Sequence, residues 1–257
     1  MSSEPQVAVL RLQGVIASGA RGGLSDAGLA PLIEKAFRKG KPKAVALVIN
    51  SPGGSPAQSS LIAARIRRLA DEKKVKVHAF VEDVAASGGY WLACAADDIY
   101  TDATSIVGSI GVISAGFGFH ELLERYGVER RVYTAGKSKS MLDPFRPEQE
   151  ADVARLRAIQ DQLHETFIDH VKTARGAKLG DGDYFTGEIW VGQKAVDIGL
   201  TDGVAHLVPK MKELYGKRTN FRVYQQRRPL LTRIGGQMAL DAAAAIDERA
   251  AFARFGL

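Results

Sequence analysis

Ala44-Val45-Ala46-Leu47-Val48-Ile49 is an unbroken apolar run that ends in Asn50-Ser51-Pro52-Gly53-Gly54. A strand with one wet face alternates apolar and polar residues. This run does not alternate, so both of its faces must be covered, as in a parallel strand packed between layers. Its neighbours fit that reading. Val7 to Leu12 is a second buried strand. Ser25 can cap a helix through about Lys39, with Leu29, Leu32, Ile33 and Phe37 at helical spacing and Gly40 as the stop. Gln58 to Asp71 repeats the helical pattern through Leu61, Ile62, Ile66 and Leu69, and Val75 to Val81 is the next strand. The order β-α-β-α-β predicts an α/β fold with a largely parallel sheet and right-handed crossovers.

The later chain is less regular. Ile99 to Thr101, Ile110 to Ser114 and Val132 to Thr134 read as short strands, and Phe119 to Tyr126 as a short helix ended by Gly127. Pro147 opens a long helix to about Ala174, striped by Leu156, Ile159, Leu163, Phe167 and Val171. The stripe suits a core or an interface equally. Gly192 to Ile198 is another short helix, and Met238 to Arg254 an alanine-rich terminal one. Ser18 to Gly23 is a Gly-rich loop. The chain shows no internal repeat and no clear linker.

Ligands of open parallel sheets bind beyond the carboxyl ends of the strands. Two turns leave such ends here: Asn50 to Gly54, and Asp83-Val84-Ala85-Ala86-Ser87-Gly88-Gly89-Tyr90. They are expected side by side, one supplying free backbone N–H groups and the other a hydroxyl. Ser87 between small residues at a strand-to-helix corner partly matches the elbow that exposes a nucleophilic oxygen, with Ala85 where that pattern has its first glycine. A plain tight turn is the alternative.

A serine needs a base. The five histidines, His78, His120, His164, His170 and His206, lie on regular elements or a late loop, in no unusual backbone setting, and read as structural or surface residues. No metal-ligand spacing occurs, so neither a metal nor another cofactor is expected. Lysine can serve when burial removes its charge. Lowering an ammonium pKa from ~10.4 to 7–8 corresponds to roughly 4 kcal/mol. Gly136-Lys137-Ser138-Lys139-Ser140-Met141-Leu142 offers two candidates, and the pattern does not choose between them or exclude two solvated loop lysines.

Taken in order, Asn50 to Gly54, Ala85 to Tyr90, Gly108-Ser109-Ile110-Gly111-Val112, Gly136-x-x-Lys139 and Asp143-Pro144-Phe145 resemble the signal peptide peptidase A family. The resemblance runs from about Val7 to Val204. It implies a Clp protease/crotonase-like βαβ superhelix and a serine endopeptidase with a Ser/Lys dyad. Ser87 matches the nucleophile, Lys139 the general base and Ser109 the hydroxyl that orients the amine, while Lys137 falls at a variable position. Gly54 matches one oxyanion donor and Gly88 the second, donors that contribute roughly 3–4 kcal/mol each to transition-state binding. The resemblance also implies peptide or unfolded-protein substrates such as signal-peptide remnants, small or apolar residues at the cleavage site, and a homo-oligomeric ring, an octamer in short members, with sites shared between protomers. Residues 1–215 are expected to form the peptidase domain and 216–257 a helical C-terminal extension for packing or an interface.

Two other readings share this fold: a crotonase-type acyl-CoA enzyme, and a catalytically silent peptide-binding scaffold. The nucleophile-type serine speaks against the first, because an enolate site needs none.

The single cysteine, Cys94, sits among apolar residues and reads as a core thiol. The net charge of +6 is concentrated late, from Lys210 to Arg233. With few aromatics interleaved it reads as a solvated face, so no nucleic acid is expected and membrane contact is at most peripheral. No apolar run approaches the ~20 residues of a bilayer span, and Met1 to Gln6 lacks signal-peptide character. The N-terminal anchor usual in the resembled family is therefore not expected within this sequence, and a cytoplasmic location is expected.

Overall fold

The computed structural model describes residues 4–18, 23–136, 138–226 and 248–257. Residues 19–22 of the Gly-rich loop, Lys137, residues 227–233 of the basic stretch and residues 238–247 of the expected terminal helix lie outside the described residues.

The chain forms two compact units, residues 1–110 with 167–257, and residues 111–166. The first contains an eight-stranded sheet. Its strands are β1 (Gln6–Gln13), β2 (Ala44–Ser51), β3 (Lys76–Ala86), β4 (Asp98–Thr101), β5 (Ile106–Gly108), β6 (Ile189–Val191), β7 (Gly203–Val204) and β8 (Asn220–Tyr224). The main order is β6-β5-β3-β2-β1-β8, with β4 beside β3 and β7 beside β4. Every pairing is parallel except β5 with β6.

The central apolar run is buried throughout β2. On one face Leu10, Leu12, Val45, Leu47, Ile49, Val77 and Ala79 meet α1 (Asp26–Arg38) and α2 (Pro56–Lys73). The other face carries Val7, Val9, Ala44, Ala46, Val48 and Phe80 against Met211 of a helix at Leu207–Tyr215. Ser25 caps α1 as its position suggests, its Oγ accepting from Gly28 N at 3.3 Å. Leu29, Ile33, Ala36 and Phe37 form the buried stripe of α1. After α3 (Gly88–Ala93), α4 (His120–Arg125) and α5 (Glu150–Arg175) come α6 (Gly192–Asp197) and α7, the Leu207–Tyr215 helix.

The second unit carries α4 and the first part of α5. The Arg130 guanidinium stacks 4.6 Å over Phe145 and pairs with Asp143 at 3.0 Å, and Phe119 packs on Phe145 at 5.6 Å.

Several expectations are corrected. Ile110 to Ser114 and Val132 to Thr134 are not strands; the strand lies earlier, at β5. β3 runs past Val81 to Ala86, through residues that break the apolar run. Residues 216–226 are not helical: they include β8, which extends the sheet beside β1. Residues 248–253 are helical. Along α5 only the end of the expected stripe, Phe167 and Val171, is buried, whereas Ile159 is 47% and Leu163 38% exposed.

Candidate active site

Ser87 follows β3 directly and precedes α3. Its backbone adopts φ 51 and ψ −120, a conformation that costs a non-glycine residue about 1–3 kcal/mol and persists only where its surroundings enforce it. The enforcement is visible. Ser87 N–H donates to Gly108 O at 2.8 Å, and Ser87 O accepts from Trp91 N–H at 3.0 Å. The corner is thus tied to β5 on one side and to the first turn of α3 on the other. The Ser87 side chain is half-buried and hydrogen-bonds to none of the described residues.

The Asn50–Gly54 turn lies against this corner. Gly53 (φ +100) leaves so little room that a methyl group there would sit 2.8 Å from Ala86 O, 2.8 Å from Gly88 N and 2.9 Å from Ser87 Cβ. Ser51 Oγ accepts from Gly53 N–H at 3.2 Å and shapes the turn. The next residue, Gly54 (φ +140), is exposed and bridged to Ile16, since Ile16 N–H donates to Gly53 O and Ser55 N–H to Ile16 O. The amides of Gly54 and Gly88 donate to no group among the described residues. Gly88 is itself buried, and a methyl group there would collide with Ser59 Oγ. The expected juxtaposition of the two turns is therefore present, with a hydroxyl beside unengaged amides.

Ser109 joins the same end of the sheet. Ala86 pairs with Gly108 in the β3–β5 ladder, so Ser109 comes directly after the residue that holds Ser87 N–H. Ser109 has φ 51, and its N–H donates to Glu188 O at 2.7 Å. With Gly187, Glu188, Ile189, Arg254 and Phe255 it lines a cavity of about 430 Å³. Ser87, Gly88, Gly54 and Ser109 are thus gathered in the first unit. Lys139 lies in the second unit, in an exposed turn where its N–H donates to Gly136 O at 3.2 Å.

Cys94 and three of the histidines are engaged elsewhere. Cys94 is buried, and burial pushes its thiol up to about 12, so it is an inert core residue. His78 is buried with Nε2 2.8 Å from Tyr215 Oη, and burial lowers its pKa. His170 stacks on Trp91 at 4.5 Å with Nε2 3.0 Å from Trp91 O, and burial lowers its pKa as well. His206 pairs on the surface with Asp102 at 2.8 Å. Among the described residues no cluster of His, Cys, Asp and Glu could hold a metal ion. No described helix is long and apolar enough to cross a membrane.

Sequence reasoning missed the groups that support the corner. Asn50 Nδ2 donates to Asp83 Oδ2 at 2.5 Å, and Tyr90 Oη donates to Leu200 O at 2.6 Å. Arg175 is buried and grips Asp202 through two nitrogens at 2.8 and 3.1 Å. Arg175 carries no motif, and Tyr90 closes the second turn segment with nothing in the sequence to name its distant partner, Leu200. Asn50 and Asp83 lie inside the two turns, where glycine and serine are the more conspicuous residues.

Known proteins resemble this chain in sequence and in fold. The chain is 47% identical over 274 residues to the Na(+)/H(+) antiporter NhaA of Brucella melitensis, a match that covers 99% of this chain and 37% of that protein. It is 34% identical over 214 residues to the chloroplastic serine protease SPPA of Arabidopsis thaliana, covering 79% of this chain and 31% of that one. The chain thus spans about a third of the length of these curated relatives. Among solved structures, a mutant of the 1510-N membrane-bound stomatin-specific protease in complex with a substrate peptide matches with TM-score 0.57 at 15% identity, over 95% of this chain and 99% of that one. That likeness is one of fold, and it agrees with the expected Clp protease-like α/β architecture. The model of Peptidase family S49 matches residues 69–215, which include Ser87, Ser109 and Lys139. That match covers more than half of the sequence, and the chain belongs to peptidase family S49.

Proposed function

We propose that this chain is a serine endopeptidase with a Ser87/Lys139 dyad. The observation that carries the reading is the left-handed Ser87 corner packed against the Gly53-Gly54 turn. A hydroxyl held there beside two free amides suits attack on a carbonyl whose oxygen then meets those amides. Lys139 takes the Ser87 proton, and Ser87 Oγ bonds to the peptide carbonyl carbon. The oxyanion accepts from Gly54 and Gly88 N–H. As the C–N bond breaks, Lys139 returns the proton to the leaving amine, and water releases the acyl group. Ser109 accepts from the lysine amine and aims it.

An exposed lysine is a poor base until its site is closed, since water favours the ammonium. Lys139 is exposed in the single chain. The reading therefore includes a covering surface, which a homo-oligomeric ring with sites shared between protomers supplies. Substrates are peptides and unfolded segments, such as signal-peptide remnants, with small or apolar side chains at the scissile bond. The location is cytoplasmic, with peripheral contact to a membrane at most.

The test is hydrolysis of casein together with covalent labelling by a fluorophosphonate. The parent protein should do both, and Ser87→Ala neither. Tight binding of an acyl-CoA with no label on Ser87 would instead favour a crotonase-type enzyme.

A further inference from the structure

The β2–β3 ladder is interrupted immediately before the site. Ile49 pairs with Val81, and the next pair is Ser51 with Ala85. One residue of β2, Asn50, therefore faces three of β3: Glu82, Asp83 and Val84. This is a bulge with two extra residues on β3, the kind of irregularity that bends a strand and re-aims its end. It is also where β3 changes partner. His78 to Val81 pair with β4, and Val84 to Ala86 pair with β5. Only the register after the bulge sets Ala86 opposite Gly108, ties Ser87 N–H to Gly108 O and brings Ser87 against Gly53.

A bulge leaves ladder groups unpaired; here the Ser105 hydroxyl takes up two carbonyls, and side-chain pairs tie the bulged residues to their neighbours. Asn50 is only 7% exposed, and its Nδ2 donates to Asp83 Oδ2 at 2.5 Å across the gap. Its own carbonyl accepts from Gly14 N–H at 2.9 Å, which fixes Asn50 to the end of β1. Arg11 Nη2 reaches both Glu82 carboxylate oxygens at 2.7 and 2.8 Å. The fully buried Ser105 Oγ lies 2.5 Å from Glu82 O and 3.1 Å from Val81 O. Of these contacts, only Asn50–Asp83 joins the strand end that carries Gly53 and Gly54 to the strand end that carries Ser87.

We propose that Asn50 and Asp83 are positioning residues: their hydrogen bond clamps the bulge and holds the Ser87 corner at the spacing from the Gly53-Gly54 turn that acylation needs. The inference rests on the serine-peptidase reading and deepens it. In this role both residues act through the Ser87 corner and not on the substrate. A clamp of this kind acts on the rate of the chemical step rather than on substrate capture, because small misplacements at the reacting atoms weigh heavily on rate.

The test uses the full chain, with Asn50→Ala, Asp83→Ala and the exchange Asn50→Asp/Asp83→Asn, in which donor and acceptor trade places. Two rates are read: fluorophosphonate acylation of Ser87, and turnover of a fluorogenic peptide resolved into kcat and KM. Each alanine variant should lose about tenfold in acylation and in kcat with KM within about twofold, and the exchange should recover to within about threefold of the parent. A merely structural role would not be rescued by the exchange at equal thermal midpoint. Should the alanine variants fail to fold, Asn50→Asp alone, which sets two carboxylates face to face, is compared with the exchange under the same criteria. Single variants as fast as the parent, or an exchange no faster than the singles, overturn the clamp. A parent protein that neither labels nor cleaves overturns the serine-peptidase reading itself, so the two failures are distinct.

Discussion

Gly53 lies in contact with Ser87, so closely that a methyl group on Gly53 would come 2.9 Å from Ser87 Cβ. The glycine has φ +100, and the groups it would strike are backbone atoms of Ala86 and Gly88 as well as Ser87 itself. Neither side can yield without moving the corner. Gly53→Ala is therefore expected to cost about 1–3 kcal/mol in stability and to slow Ser87 acylation more than the stability loss explains. Gly116, with open space around it and no positive φ, is the control, and Gly116→Ala should change neither. Urea unfolding and fluorophosphonate labelling measure the two effects, and an unaffected Gly53→Ala would mean that the two turns do not depend on each other.

The choice between the two lysines is tested by arginine. Arginine keeps the length and charge of lysine, yet it cannot give up its proton in a protein. If Lys139 is the base, Lys139→Arg should be as inactive as Lys139→Ala, a loss on the order of a hundredfold or more in kcat. Lys137→Arg and Lys137→Ala should keep most of the parent rate. An active Lys139→Arg would show that the residue contributes only charge.

Much of this site is legible in the sequence. The unbroken Ala44–Ile49 run demands a covered parallel strand, and the topology then requires the Asn50 and Ser87 turns to share one end of the sheet. Both follow from burial and strand order, which sequence carries well. The details that shape the turns are poorly encoded. The apolar run predicts that β3 ends at Val81, because Glu82 and Asp83 break it, yet the strand continues through a bulge whose polar residues are held by Asn50, Arg11 and Ser105. β6 and β8 escape a sequence reading because they are short and mostly exposed, so no buried stripe announces them. The exposure of Ile159 and Leu163 depends on what covers α5, and helical spacing is silent on that.

One buried and one half-buried histidine make stability depend on pH. Burial lowers the pKa of both His78 and His170 from the ordinary 6.5, although Asp98 and Asp97 oppose this at His78, and the Trp91 carbonyl opposes it at His170. In each case the folded state prefers the neutral ring more than the unfolded chain does. The stabilisation is thus whole above pH ~6.5 and is lost as pH falls through the folded values. Thermal midpoints should decline from pH 7 toward pH 5. His170→Gln should flatten part of that decline while lowering the midpoint at neutral pH, since it loses the ring stacked at 4.5 Å on Trp91. An identical acid decline in the variant would remove His170 as a contributor.

The last support of the corner is a buried ion pair. Arg175 is 3% exposed, donates to Gly199 O at 2.9 Å and holds Asp202 through two further bonds. Burial alone would raise the Asp202 pKa, but hydrogen bonds from Arg175 and Lys178 more than offset it and leave the carboxyl below its ordinary range. The same segment offers Leu200 O to Tyr90 Oη, three residues beyond Ser87. Asp202→Ala would leave the guanidinium buried with one carbonyl partner, and removing one member of a buried pair costs about 3–5 kcal/mol. Asp202→Asn keeps acceptor oxygen and should lose less. The urea midpoint should fall in the order parent, Asn, Ala, and Ser87 labelling should slow in the same order as α3 loses its anchor. A midpoint unchanged in Asp202→Ala would mean that Arg175 finds water or another acceptor, and that the Tyr90 hydroxyl and apolar packing alone hold α3 behind Ser87.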